Sequence, residues 1–359
     1  MCRIFMKTID ECLAIALQTP YAYGGPLAKG ILRQYAEDYI VDELPLVEPD
    51  GSGEHVWLKI RKRHNNTDFV AKQLQKLAGV KSMAVSYAGM KDRHALTTQW
   101  FSVHLPTKDE PDWQSIASDE IEILEVKRHA KKCRRGTLSG NHFTIQVRDV
   151  EVDNQILMHR VEAIKTGGVP NFFSRQRFGR GGNNLNNAIA MFEGKKKIKR
   201  HQRAIYLSAA RSLLFNYILS ERVTGGNWSS LQVGDICLRT GRRGFFPVDE
   251  LDEELTQRLH AGEIHPTAPL WGQGKLPVSN EIKILEEQLP VEFPHWCEGL
   301  EKAGLKMERR ALRLVPQDFK VEQNDAGVKL SFSLPPGCYA TSVIRELFDA
   351  EHYNRFSKT

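Results

Sequence analysis

Cysteine is scarce in this chain. The six present, Cys2, Cys12, Cys133, Cys237, Cys297 and Cys338, are far apart, with no C-x-x-C pair and no matching histidine spacing. That pattern excludes the usual structural zinc sites and a disulfide framework, and leaves the thiols as reduced bystanders. Long apolar runs are also missing: none approaches the roughly 20 residues needed to span a bilayer. The first residues lack a basic stretch followed by a sustained apolar one, so no export signal is read and a cytoplasmic protein is expected. There is no internal repeat and no low-complexity segment. Acids are absent locally: residues 127–135 and 195–203 each hold six Lys or Arg and no Asp or Glu. Residues 249–263 and 281–301 each hold six acids and a single Lys or Arg. The net charge of +6 is therefore less informative than this segregation, which points to a track for a polyanion, against the alternative of solvated helix faces.

At 359 residues with 41% hydrophobic content, the chain can bury two cores, and two domains are expected. Residues 56–61, 99–104 and 142–147 have the alternation and the β-branched or aromatic content of half-buried strands. Thr67 can cap a helix over 68–78, with Phe69, Val70, Leu74 and Leu77 on one face. After Gly168 the pattern changes to a glycine-rich loop and a helix over about 204–222, with Ile205, Ser208, Ala209, Ser212, Leu213 and Asn216 at helical spacing. Strand patterning returns over 328–334, and 340–350 reads as a closing helix. The simplest architecture is an α+β core whose largely antiparallel mixed sheet is formed from both ends of the chain, residues 1–166 and 316–359. The middle, 167–315, is then an inserted α/β domain. The loop 178–184 lacks both G-x-x-x-x-G-K-[ST] and G-x-G-x-x-G spacing, and is expected to be a structured loop touching RNA phosphate rather than a nucleotide-binding loop.

The most informative stretch is Tyr87-Ala88-Gly89-Met90-Lys91-Asp92-Arg93-His94-Ala95. It sets one carboxylate between two cations, which favour its charged form, just after a glycine that lets the backbone turn. A charged turn leaving an apolar strand is the plainer explanation. Other segments weigh against it. Gly89-Met90-Lys91-Asp92-Arg93-His94-Ala95, followed by Thr98-Gln99-Trp100, resembles the G-x-K-D-[KR]-x-A signature of the TruD family of tRNA pseudouridine synthases. Ala36-Glu37-Asp38-Tyr39-Ile40-Val41, Leu138-Ser139-Gly140-Asn141-His142-Phe143, Gly168-Val169-Pro170-Asn171-Phe172-Phe173, Gln176-Arg177-Phe178-Gly179, Leu207-Ser208-Ala209-Ala210-Arg211-Ser212 and Leu334-Pro335-Pro336-Gly337-Cys338-Tyr339-Ala340-Thr341 extend the resemblance, in family order, over nearly the whole chain.

The resemblance implies a pseudouridine synthase core carrying an inserted TRUD domain, acting on uridine 13 of tRNA, with Asp92 as the essential catalytic carboxylate. Breaking the N-glycosidic bond, turning the uracil and joining its C5 to C1′ oxidises nothing, so no cofactor and no metal are expected. The target base must be flipped out and held. The family match supplies Tyr39, Phe143 and Tyr339 as the aromatics needed near Asp92, and Asn141 has the amide donor and acceptor needed to read a uracil edge. By alternation alone each aromatic also fits a strand core. Tyr39 and Tyr339 stand where relatives often have Phe. Arg33 stands where relatives often have Lys, and a guanidinium there would orient Asp92. The competing functions are a non-catalytic protein that binds structured RNA, and a metal-dependent nuclease. The latter would need clustered carboxylates, whereas Asp92 has no acidic neighbour closer along the chain downstream than Asp109. tRNA is the expected partner; no membrane and no obligate protein partner are inferred.

Overall fold

The computed structural model describes residues 7–106, 109–195, 198–241 and 244–352. The chain divides into two compact units. A sheet unit holds residues 27–161, 316–340 and 347–352; a helical unit holds 162–315 together with 7–26 and 341–346. These boundaries differ from a single insertion at 167–315. Residues 7–26 join the middle segment because their polar groups are used there. The Tyr23 hydroxyl donates to the carbonyls of Ala163 (3.2 Å) and Gly168 (2.7 Å), and Arg345 donates to those of Thr19 (2.7 Å) and Pro20 (3.0 Å).

The sheet unit is built on ten strands: β1 (Ala28–Leu32), β2 (Tyr39–Pro45), β3 (His55–Lys62), β4 (Val85–Tyr87), β5 (Leu96–His104), β6 (Ile121–His129), β7 (Leu138–Arg148), β8 (Gln317–Asn324), β9 (Gly327–Leu334) and β10 (Phe348–His352). The main path runs β8-β9-β7-β2-β5-β3-β6; β1 joins β7 and β10, and β4 joins β5. Among the described residues of this sheet, β2–β5 and β1–β10 pair in parallel and the other pairs are antiparallel. The three strands read from alternation lie within β3, β5 and β7. They are not all half-buried, however: β5 is central, and Thr97 through Val103 are buried on both faces. One face packs Phe101 and Val103 with Val56, Leu58 and Ile60 against Val70 and Leu74 of the helix Thr67–Ala78. The other packs Trp100 on Trp57, Ala88 and Cys133.

Two helix expectations change. Asn66, not Thr67, is the N-cap of Thr67–Ala78, and Phe69 is exposed. The 340–350 segment is a helix only over Ala340–Arg345; from Phe348 it turns into β10, because β1 offers an open edge and strand pairing there buries Phe348.

In the helical unit, the helix Arg200–Thr224 is longer than its spacing suggested. It is enclosed rather than amphipathic along its middle, with Ser212 through Leu219 all buried, while Ile205 lies exposed near its start. Four strands, Ile236–Arg239, Phe245–Pro247, Ile264–Leu270 and Glu308–Ala311, form an antiparallel sheet beside it. Gly182 in the glycine-rich loop has φ +76°, and a Cβ there would come within 2.1 Å of Leu13, so packing alone accounts for that glycine.

Candidate active site

Register brings the first residues of the site together. On β2 and β7, Tyr39 faces Ile145, Val41 faces Phe143 and Glu43 faces Asn141. Tyr39, Glu43, Phe143 and Asn141 therefore share one face of the sheet, since side chains repeat every second residue. The loop 89–94 is tied to that face and to its neighbours at many points. Gln99 Nε2 donates to Gly89 O (3.0 Å), the Lys91 amide donates to Thr67 Oγ1 (2.9 Å), and Thr67 in turn donates to Gln99 Oε1 (2.9 Å). The Thr67 hydroxyl, expected to cap a helix, is used instead to hold this loop.

The cation on Asp92 is Arg33. Its Nη2 lies 2.7 Å from Asp92 Oδ2, while the His94 amide donates to Oδ1 at 2.9 Å. The guanidinium also sits 4.2 Å from the centre of the Tyr39 ring, a stacked cation–π arrangement. Arg33 adopts φ 60°, a left-handed conformation that costs any residue with a Cβ backbone energy and is retained where the side chain has somewhere particular to go. The expectation that Lys91 and Arg93 flank the carboxylate is corrected by the geometry, because side chains of successive residues diverge. Lys91 Nζ donates to Asn141 Oδ1 (2.6 Å) and lies 3.1 Å from Glu43 Oε2, and Arg93 Nε donates to the carbonyl of His64 (3.0 Å). Burial raises the Glu43 carboxyl above the usual range, opposed by Lys91. Burial likewise raises the Tyr39 phenol, opposed by Arg33.

Lys62 belongs to this constellation and was missed. It is fully buried, and its Nζ donates to the carbonyls of Asn65 (2.7 Å) and Asp92 (3.2 Å). Burial pulls its ammonium down to about 8, with the Asp92 charge opposing the shift. The signal was available in the sequence: Leu58, Ile60 and Lys62 alternate onto one face, and a lysine at the third such position is a charge pointing inward.

Phe143 is buried, stacked on Phe332 (centroids 5.6 Å apart) and edge-on to Tyr39 (6.4 Å), so it supports Tyr39 from within the core. Tyr339 is half-buried in the segment after β9, five residues beyond Leu334, which pairs with Asn141.

Of the basic runs, Lys127 pairs with Glu125, and Arg128 with Glu110 (2.6 Å); Lys131, Lys132 and Arg134 are exposed. Lys195 pairs with Glu193 (2.9 Å), and Lys196 and Lys197 lie outside the described residues. Among the described residues no three His, Cys, Asp or Glu side chains are grouped to hold a metal ion, and no helix is long and apolar enough to cross a membrane. Cys12, Cys133, Cys237 and Cys297 are free and buried, and burial raises each thiol.

Comparison with known proteins supplies the family. The family model for tRNA pseudouridine synthase D (TruD) matches residues 18–185 and 182–347. A protein of Aeromonas hydrophila named tRNA pseudouridine synthase D is 47% identical over 93% of this chain and 95% of its own length. One of the same name from Methylococcus capsulatus is 46% identical over 92% and 94%. A crystal structure assigned to TruD from Methanosarcina mazei superposes with a TM-score of 0.70 at 24% identity, covering 92% of this chain and 96% of that one, and shares the fold. With a model matched across most of its length and relatives this similar, the chain belongs to the tRNA pseudouridine synthase D family.

Proposed function

We propose that this protein isomerises uridine to pseudouridine in tRNA, at uridine 13, with Asp92 as the catalytic carboxylate and the sheet unit as the catalytic domain. The names of its relatives support the reaction class. The observation that carries the residue assignment is the Asp92 carboxylate itself. It is held by Arg33 on one oxygen and by the His94 amide on the other, yet is still about a quarter exposed, at 27%. A carboxylate fixed in orientation and open to a ligand suits attack on C1′, attack on the uracil ring, or removal of a ribose proton. Tyr39, Asn141 and Tyr339 then contact the flipped nucleotide, Arg33 orients Asp92, and Phe143 backs Tyr39. The reaction draws on no cofactor or metal, and the protein works in the cytoplasm.

The test is release of tritium from tRNA labelled at uracil C5, since joining C5 to C1′ expels that hydrogen while the strand stays intact. Asp92→Ala should abolish release and leave tRNA affinity nearly unchanged, because affinity comes mainly from phosphate contacts. Turnover near the parent rate in that variant would remove Asp92 from the mechanism. Binding without release by the parent protein would favour the non-catalytic RNA-binding reading, and strand cutting would favour the nuclease.

A further inference from the structure

Lys91 and Asp92 are neighbours with separate tasks. Lys91 Nζ meets Asn141 Oδ1 at 2.6 Å and Glu43 Oε2 at 3.1 Å, and the Lys91 and Glu43 side chains are only 6% and 3% exposed. An ammonium has donors and no acceptor, so it fixes which end of the Asn141 amide it faces: the oxygen. The NH2 end is turned away from Lys91. It makes no hydrogen bond among the described residues, although Asn141 remains half-buried beside the loop that carries Asp92. Glu43, directly opposite Asn141 in the β2–β7 register, completes the arrangement by holding the ammonium from behind.

We propose that Lys91 is a positioning residue that locks Asn141 with its NH2 group outward, as a donor to a carbonyl oxygen of the reacting uracil. This rests on the isomerisation reading above. If Asp92 attacks C1′, its oxygen bonds to C1′ as the C1′–N1 pair departs with the uracil. If Asp92 instead takes the C2′ proton, the C2′–H pair forms the glycal double bond and the same uracil anion leaves. If Asp92 adds to C6, the C5–C6 π pair is displaced toward O4. In each case negative charge appears on the carbonyl oxygens during the reaction and is smaller before it. A donor fixed at such an oxygen, and polarised by an ammonium on its other side, stabilises the transition state more than the bound substrate.

The experiment compares tRNA carrying uridine with tRNA carrying 5-fluorouridine at the target. Fluorine itself stabilises the uracil anion and so reduces the demand on the donor. Conversion is followed in single turnovers by chromatography of the digested nucleosides: pseudouridine from uridine, and from 5-fluorouridine the C5-linked nucleoside that keeps its fluorine, which cannot leave as a proton does, and takes up water at C6. Lys91→Met should slow the uridine substrate about 100-fold, the scale on which a single fixed donor acts. tRNA affinity should be unchanged, and the fluorinated substrate should slow by at most about tenfold on the same scale. Asn141→Asp keeps a partner for Lys91 but replaces the donor with an acceptor, and should show the same split. Because Lys91→Met strands a buried Glu43, the double variant Glu43→Leu, Lys91→Met serves as the folded control. It should unfold near the parent temperature and repeat the kinetic split; if it does not fold, Asn141→Asp decides. Equal losses on both substrates, a loss accounted for by weaker tRNA binding, or parent-like rates would overturn the proposal. The parent protein separates the two questions: if it converts neither substrate, the isomerase reading fails; if it is active and the variants show no split, only the role of Lys91 fails.

Discussion

Replacing Lys62 with Met should leave the fold at least as stable at pH 7 while lowering activity. The ammonium is fully buried and burial pulls it from 10.5 to about 8. At about 1.4 kcal/mol per pK unit, keeping it charged in the folded state costs on the order of 3 kcal/mol below pH 8. Against this stand its hydrogen bonds to the carbonyls of Asn65 and Asp92, whose loss costs roughly 1 kcal/mol each. The net effect at pH 7 is a stabilisation of about 1 kcal/mol or a near-tie. The pH dependence is the sharper test. The folded-state value is lowered, so between about 8 and 10.5 the unfolded chain binds the proton more tightly, and wild-type stability rises with pH there. The wild type should therefore gain on the Met variant by about 2 kcal/mol between pH 7 and 9.5. Urea unfolding at both pH values, followed by the fluorescence of Trp57 and Trp100, measures it, and a difference that is flat or grows in the variant's favour refutes the assignment. Activity should fall because the carbonyl of Asp92 loses its anchor. The expected signature is a lower kcat with tRNA affinity preserved.

Other outcomes follow from the same geometry. Arg33→Gly should relieve the left-handed backbone by about 1 kcal/mol but forfeit the ion pair and the stack on Tyr39, giving no net gain in thermal unfolding, and should lower kcat at least tenfold because Asp92 loses its partner; equal activity would mean that Arg33 does not orient Asp92. Lys131→Glu with Lys132→Glu should weaken tRNA binding and flatten the slope of log affinity against log salt by about 2, as expected if two phosphate contacts are lost. An unchanged slope would mark this run as a solvated face. Activity should survive EDTA when monovalent salt or polyamine keeps the tRNA folded; recovery only on adding a divalent ion, at levels too low to refold the RNA, would require a metal in the reaction.

The strands of the sheet were legible because their alternation is strong and tertiary contacts agree with it. Their depth was not: β5 reads as half-buried, but its neighbours cover both faces, and nothing local to 99–104 reports that. The β10 strand was hidden because Ala340–Ala350 has helical character throughout, and only the open edge of β1, distant in the sequence, turns Phe348 into a strand residue. Around Asp92, adjacency in the chain suggested Lys91 and Arg93 as its cations, whereas a loop fans its side chains apart and the partner comes from Arg33, after another strand. Thr67 was recognisable as a polar residue at a helix start, but its use by Lys91 and Gln99 depends on contacts no local pattern encodes.

The pairing of β1 with β10 has a consequence for when the protein becomes competent. Ala28 aligns with Phe348, 320 positions later in synthesis, and Arg33 immediately follows the strand that this pairing completes. During translation, Asp92 and its loop emerge early and β7 can pair with Ile31 and Leu32 soon after, but the parallel partner of β1 is missing until residue 348 has left the ribosome tunnel. The cation on Asp92 is thus expected to be fully steadied only once both neighbours of β1 are in place. Ribosome-bound chains stalled before residue 348 should release no tritium from labelled tRNA, and label release by such chains would show that the late strand is dispensable.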